Sequence, residues 1–436
     1  MDIFFIISVI GFLVSMLLGY LIPRKYGWFL ILTIPILSAG RLLLIPSSLF
    51  PLKYTIFALG GTIGIYMALK TNISNITTNF RNVKYWLFFY WFMLIILFVK
   101  SFPNDIRPIF SEDFSMFFIG IFLPLLIIKS ESDVYLIFKI LVWQGVIISI
   151  IAILEFYGIA NFQEMLKKTN PSYDSLDLYI RAQNLRVLGI DGNSVNTATR
   201  MSILFFISLW YIIQNRKVWT VVPVALISIS LIMFQTRSAF VSVFLSLVII
   251  LLLSVLFDKM RNLKLNKIIG VVLVMFIVIT TIPTIEQLST DFSQFFVDSI
   301  TGQEKTTEGK INRIPFALSL IKDKPIFGYG SPKYCYYQLM YTEDVPVPFL
   351  YLLSGGIILL TLFLIVYIYP IFIIISFLKD KKSTFVDKTT MIYGITAWSA
   401  GFIAMFSNWI LTQRIIMFFI FATLIKLQYL YNQKKT

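Results

Sequence analysis

Three short stretches pair an arginine with residues that turn the chain or open a helix. The first is Leu185-Arg186-Val187-Leu188-Gly189-Ile190-Asp191-Gly192-Asn193-Ser194-Val195-Asn196, which leads straight into an apolar run. The second is Gln235-Thr236-Arg237-Ser238-Ala239, lodged between two apolar runs with almost no connection. The third begins at Asn312-Arg313-Ile314-Pro315-Phe316-Ala317 and ends at Lys324-Pro325-Ile326-Phe327-Gly328-Tyr329-Gly330. A guanidinium offers a rigid fork of donors suited to phosphate or carboxylate, and a helix amino terminus adds positive potential. Close by are two acids, Glu343 and Asp344, stiffened by Pro346 and Pro348, and four tyrosines, Tyr334, Tyr336, Tyr337 and Tyr341. A carboxylate within hydrogen-bond reach can take a proton from a hydroxyl, and tyrosine rings can stack on sugar faces. Each feature also has a plainer explanation. The arginines can pair with Asp174, Asp177, Asp191 or Glu343, the two acids can pair with Lys333 or Arg313, and the tyrosines can form an interfacial aromatic belt.

The elements that must carry these residues are apolar. The 436 residues are 58% hydrophobic and 14% charged, far from the balance of a soluble domain. Repeated windows of about 20 uncharged apolar residues define a polytopic helical membrane protein. The ten-residue alternating segments of a barrel are missing. About thirteen spans are predicted, near 3–22, 28–45, 54–69, 85–99, 115–128, 135–157, 197–213, 218–234, 238–256, 268–282, 349–378, 391–407 and 409–430. The fold class is therefore all-α, a single integral membrane domain over residues 1–436. The first span lacks a basic leader and a small-residue cleavage site, so it reads as a retained helix. Pro370 inside the span from Phe349 predicts a kink or an extension past the bilayer.

Lysine and arginine set the orientation. Arg24-Lys25, Lys70/Arg81/Lys84, Arg216-Lys217, Lys259/Arg261/Lys264/Lys267, Lys379/Lys381/Lys382/Lys388 and Lys434-Lys435 fall in alternate connections and form a cytoplasmic set. Two long loops, 158–196 and 283–348, then lie outside. That face holds Arg107, Arg181, Arg186, Arg200, Arg237, Arg313 and Arg414, where positive-inside selection disfavours them. The net charge of +15 is thereby explained by loops rather than by nucleic acid. With no histidine and one cysteine, Cys335, the commonest general base, any internal disulfide and multi-cysteine metal sites are excluded. No glycine-rich phosphate loop supports ATP-driven chemistry.

The order of these motifs resembles the O-antigen ligase and O-antigen polymerase superfamily. That family shows an Arg–Gly turn with Asn before a helix, here Arg186 to Asn196, and a Thr/Ser-Arg-Ser/Gly-Ala junction, here Thr236 to Ala239. After a large exofacial loop it shows an Arg-headed amphipathic helix ending in Pro-(Leu/Ile)-X-Gly-X-Gly, here Arg313 to Gly330. The following span with Gly355-Gly356 also fits, and Arg181 and Gly192 have the Arg-X10-Gly spacing of some polymerases. The resemblance covers roughly residues 180–430. Ligases place a His-Asn pair where this chain reads Glu343-Asp344-Val345-Pro346, which turns the expectation toward the Wzy-like polymerase branch.

The resemblance implies a GT-C-like membrane glycosyltransferase that uses no cofactor and no metal. Its implied reaction joins polyprenyl-diphosphate-linked repeat units into O-antigen or capsule on the outer face of a bacterial cytoplasmic membrane. Arg186, Arg237, Arg313 and Arg181 are the expected diphosphate ligands. Asp344 and Glu343, with Arg237 and Arg313, are the expected catalytic groups, and Tyr334, Tyr337 and Tyr341 the glycan contacts. Expected partners are the undecaprenyl-diphosphate-linked donor and acceptor, membrane lipid and a chain-length regulator, with no nucleic acid. The alternatives are a ligase that moves finished glycan to another acceptor and, from a different class, a lipid-linked oligosaccharide flippase. Flippases usually show two similar halves and short loops, unlike the unequal loops here.

Overall fold

The computed structural model describes residues 83–102, 117–159, 187, 189, 194–215, 217–234, 236–256, 315–335, 339–340, 346–379, 385–406 and 414–433. Among them there is no strand. Eight long helices carry the fold: α1 (Lys84–Ser101), α2 (Glu131–Phe156), α3 (Ser194–Asn215), α4 (Val221–Phe234), α5 (Arg237–Leu256), α6 (Val347–Leu378), α7 (Phe385–Met405) and α8 (Arg414–Gln433). Five of these, α1, α2, α3, α6 and α8, are long and apolar enough to cross a membrane. The predicted spans at 3–22, 28–45, 54–69 and 268–282 lie outside the described residues. The described part of the span predicted at 115–128 is a π turn, Phe118–Phe122, that runs into a single helical stretch, Leu123–Ile127. Pro124 sits in its first turn, and Ile128 leaves it extended.

α2 starts four residues earlier than its apolar run because its amino terminus is closed by side chains. Ser130 accepts from the Asp133 backbone N–H while the Asp133 carboxylate accepts from the Ser130 N–H, a reciprocal capping box. At its other end the Gly158 N–H donates to Glu155 O and the Ile159 N–H to Leu154 O, with Gly158 at φ +69. This is a Schellman terminator, which needs a left-handed residue.

α3 is the hub. It packs on α2, α4, α5 and α7, while α6 packs on α1 and α7, and α8 on α7 and the π turn. Side chains fix the directions. Trp210 Nε1 near the end of α3 donates to Thr390 Oγ1 near the start of α7, and Gln214 Nε2 donates to Thr389 Oγ1. Ile203, Met417 and Gly401 meet at the other end. Helices α1, α2, α4 and α7 thus finish where α3, α5, α6 and α8 begin. We call this the arginine end. At the opposite end Tyr135 Oη donates to Asp387 Oδ1. Asp387 and Lys388 are both buried in the first turn of α7. This corrects the expectation that Lys388 belongs to a connecting loop: the helix begins six residues before the predicted span.

α6 runs through Pro370 without ending. A proline has no N–H, so the carbonyl four residues earlier loses its helical donor. That carbonyl is Val366 O, and it accepts instead from Trp86 Nε1 of α1 at 2.8 Å. The next carbonyl, Tyr367 O, accepts from Trp398 Nε1 of α7 at 2.9 Å. Both indoles are fully buried among Tyr90, Phe418 and Phe421. Removing a donor from a buried acceptor costs about 1–3 kcal/mol. Trp86→Phe should therefore lower thermal stability in detergent by that order. In a Pro370→Ala background, where an alanine N–H can reach Val366 O, the same change should cost less. Equal costs in both backgrounds would remove the proline explanation.

Candidate functional site

The arginine end is built from loops that dock onto helix ends. At its centre α6 is broken: Gly355 (φ −127, ψ 16) and Gly356 (φ 66, ψ −160) leave the helical region. Such a break would strand backbone groups inside the protein. The turn over 325–330 supplies their partners. Tyr329 N–H donates to Leu353 O at 2.7 Å, Gly330 N–H donates to Ser354 O at 3.1 Å, and Ile357 N–H donates to Pro325 O at 2.8 Å. The backbones touch so closely that only glycine fits. A Cβ on Gly356 would stand 2.0 Å from Ile326 O, and one on Gly328 2.4 Å from Leu353 O. Both residues also have positive φ, 66 and 61. The motif Pro325-Ile326-Phe327-Gly328-Tyr329-Gly330 is therefore a plug for a broken helix.

Residues 315–323 are helical and lead into this plug. Ala317 packs with Cys335, Met340, Leu350 and Leu353 in a small core of its own. Phe316 and Leu318 face outward. Tyr329 Oη donates back to Leu320 O at 2.8 Å, and Lys324 Nζ lies over the Tyr329 ring. From α1, Lys100 Nζ donates to Phe327 O. Burial pushes the Cys335 thiol up to about 11, despite the opposing pull of Ser354 and Lys100.

The second element is the junction of α4 and α5. Thr236 O accepts from the Ala239 and Phe240 N–H groups, and its Oγ1 donates to Phe234 O. Thr236 and Ser238 are buried, and Arg237 is the first residue of α5. The third element is the turn before α3. Val187 and Gly189 are buried there, and the Gly189 N–H donates to Glu155 Oε2 at 2.8 Å. The fourth is the start of α8, where the buried Arg414 donates from Nη1 to Tyr351 Oη at 3.1 Å. Arg200, on the second turn of α3, is fully buried.

Of the predicted site residues, Tyr334 and the backbone of Arg237 are described. Tyr334 is partly exposed, at the end of a single turn, Pro332–Tyr334, capped by Ser331. Arg181, Arg186, Arg313, Tyr337, Tyr341, Glu343 and Asp344 lie outside the described residues. Val187 and Gly189, Pro315, and Pro346 flank three of these positions, and all belong to elements at the arginine end. Three groups there were missed from sequence. Glu155 was hidden inside an apolar span, Lys100 at the end of another, and the role of Tyr351 shows only through Arg414. The one available signal was an acid in the last turn of a helix, against the dipole. Among the described residues no three of His, Cys, Asp and Glu gather as a metal-binding group.

Chemically, four helices begin at this end and four finish there, so their dipoles offset one another, and Lys100, Arg200 and Arg414 are cationic side chains placed there. Comparison with known proteins adds one decisive finding. Residues 222–364 match the family model described as O-antigen ligase.

This stretch resembles the O-antigen ligase family.

The match supports the O-antigen ligase and polymerase superfamily for the chain. No curated protein and no solved structure matches it. The matched stretch takes in α4 from its second residue, the Thr236–Ala239 junction, the 325–330 plug and α6 through its break. The Gly189 turn and Arg414 lie outside it.

The plug makes a direct prediction. Gly356→Ala or Gly328→Ala should unseat it, because a Cβ would overlap backbone rather than a flexible side chain. The buried Cys335 reports this, being the chain's one cysteine. Maleimide labelling at pH 7.5 should be slow in the native protein and much faster in either variant. Gly158→Ala strains a positive φ as well, but with nothing within 4 Å of its Cβ position and at the end of α2 rather than in the plug, it should leave labelling unchanged.

Proposed function

We propose that this protein is a surface-polysaccharide polymerase. The carrying observation is that the one stretch similar to the O-antigen ligase family contains both the arginine that opens α5 and the plug that follows the Arg313 segment. The substrates would be undecaprenyl-diphosphate-linked repeat units, presented at the outer face of a bacterial cytoplasmic membrane. The whole chain would be one GT-C-like domain of about thirteen spans, with the arginine end outward and loops 158–196 and 283–348 over it.

In this mechanism an acceptor hydroxyl oxygen bonds to the anomeric carbon of the donor sugar. The anomeric C–O bond to the diphosphate breaks with inversion, and the hydroxyl proton passes to a carboxylate, Asp344 or Glu343. Charge accumulates on the departing polyprenyl diphosphate. Arg237 and Arg313, backed by Arg186 and Arg181, stabilise it as it develops, and that preference for the transition state is what accelerates the step. No metal is needed where guanidinium groups carry this charge. Tyr334, Tyr337 and Tyr341 hold the glycan, and a chain-length regulator would act from outside the domain.

The ligase reading draws on the description of the matched family. Against it stands the absence of histidine from the chain, since ligases use one at the position of Glu343-Asp344. A deletion strain separates these possibilities. Single repeat units still attached to the surface anchor indicate a polymerase. No attached glycan indicates a ligase, and lipid-linked units accumulating on the cytoplasmic side indicate a flippase.

Arg237→Lys keeps the charge and loses the fork. It should lower the transfer rate by about a hundredfold or more with normal expression, as should Arg313→Lys. Unchanged chain length in the double lysine variant would remove both from diphosphate binding. Chelator should leave activity intact; loss restored by magnesium would overturn the metal-free mechanism. Asp344→Asn should abolish polymer while donor binding persists.

A further inference from the structure

We infer that Glu155 is a positioning residue for the arginine turn that precedes α3, an inference that rests on the glycosyl-transfer function proposed above. Glu155 occupies the last turn of α2. The Schellman terminator holds it there: its own carbonyl accepts the Gly158 N–H at 3.0 Å. Its side chain reaches away from α2, and Oε2 accepts the Gly189 N–H at 2.8 Å across 34 residues of sequence.

The Gly189 end of this bond is closely packed. Gly189 has φ +68, and a Cβ there would lie 2.8 Å from Phe234 Cε1 and 2.8 Å from Thr197 Cγ2. Two residues earlier, the buried Val187 donates its N–H to Met233 O of α4, a long contact of 3.5 Å. The two described residues of the turn are therefore held by three helices at once. α2 holds it through Glu155, α4 through Met233 and Phe234, and α3 through Thr197. α2 and α4 are themselves joined by the Ser149–Ser230 hydroxyl contact at 3.2 Å, so the frame is stiff. Arg186 immediately precedes Val187 in the sequence.

An acid at the carboxy-terminal end of a helix opposes the dipole. Helix stability alone does not favour it at position 155. A carboxylate does form a stronger, shorter bond to a backbone N–H than a neutral acceptor. Its placement makes sense if the backbone at 187–189 must be held closely. Displacing a group by about 1 Å can cost around a hundredfold in rate, so this bond would set how well Arg186 meets the developing charge on the diphosphate.

The test uses the full-length protein in liposomes, with polyprenyl-diphosphate-linked oligosaccharide as substrate and a short-chain prenyl diphosphate as binding probe. Glu155→Ala should lower kcat about a hundredfold with little change in KM, and should speed amide exchange in the peptide containing Val187 and Gly189. Glu155→Gln keeps an acceptor oxygen and should recover most of the lost rate without altering the pH profile. In an Arg186→Ala background, Glu155→Ala should cost nothing further. Full additivity of the two changes would overturn the inference. So would wild-type kcat in Glu155→Ala despite faster exchange, which would leave a purely structural strut. Glu155→Gln as inactive as Glu155→Ala, with its acid limb lost, would mean proton transfer instead and would overturn it as well. If the wild type binds the probe but transfers no sugar, the polymerase function fails. The binding cycle between Glu155 and Arg186 then decides the positioning role alone.

Discussion

A backbone amide or carbonyl that loses its helical partner inside a membrane has no water to turn to. This constraint accounts for three irregular features of the fold. α6 violates helical bonding twice, at Gly355-Gly356 and at Pro370. In both places a distant segment supplies the missing partner. The plug at 325–330 exchanges three backbone bonds with the first break, and the Trp86 and Trp398 indoles serve the carbonyls around the second. The turn before α3 follows the same logic, with a carboxylate in place of a backbone carbonyl. Among the described residues, each of these irregular stretches is thus held by a partner from a distant segment.

Much of this was legible from sequence, and the division is physical. Periodicity and hydropathy report where an apolar helix begins and ends, so α1 through α8 were all foreseen, with ends shifted by capping. The capping box at Ser130 and Asp133 and the early start of α7 moved those limits. The shortness of the Thr236–Ala239 junction already placed Arg237 at the head of a helix. The glycines of Pro325–Gly330 marked a tight turn, but nothing local said that it would fill a break thirty residues later. Gly355 and Gly356 looked like a fitting pair for the family without revealing that one has positive φ. Glu155 was the plainest loss, because a single acid near the end of a long apolar run does not alter its average.

The two ends of the bundle divide the polar work. At one end buried hydroxyls and acids join helices to one another, as Tyr135 does with Asp387 and Trp210 with Thr390. These contacts link elements of regular structure and are of the kind that hold a helical bundle in register. At the arginine end, apart from the Arg414–Tyr351 bond between α8 and α6, the contacts run from helix to loop instead. Residues there are fixed by backbone geometry: Gly189 between Phe234 and Thr197, Gly328 against Leu353, Gly356 against Ile326. A site assembled this way keeps its shape without a large polar core, which a chain of this composition could not bury cheaply.

The bond between Trp86 and Val366 spans 280 residues, and so it also has an order in time. A ribosome adds about 5–20 residues each second, so the indole enters the bilayer roughly 15–55 s before its acceptor is made. For that interval the α1 ring must rest elsewhere, and the membrane interface, where tryptophan is favoured, is its natural waiting place. When α6 arrives, its proline leaves a carbonyl that no residue of its own helix can satisfy. The donor already present in α1 then gives the late helix a reason to stop beside the early one. A proline that weakens a helix in isolation becomes, during synthesis, an address for assembly.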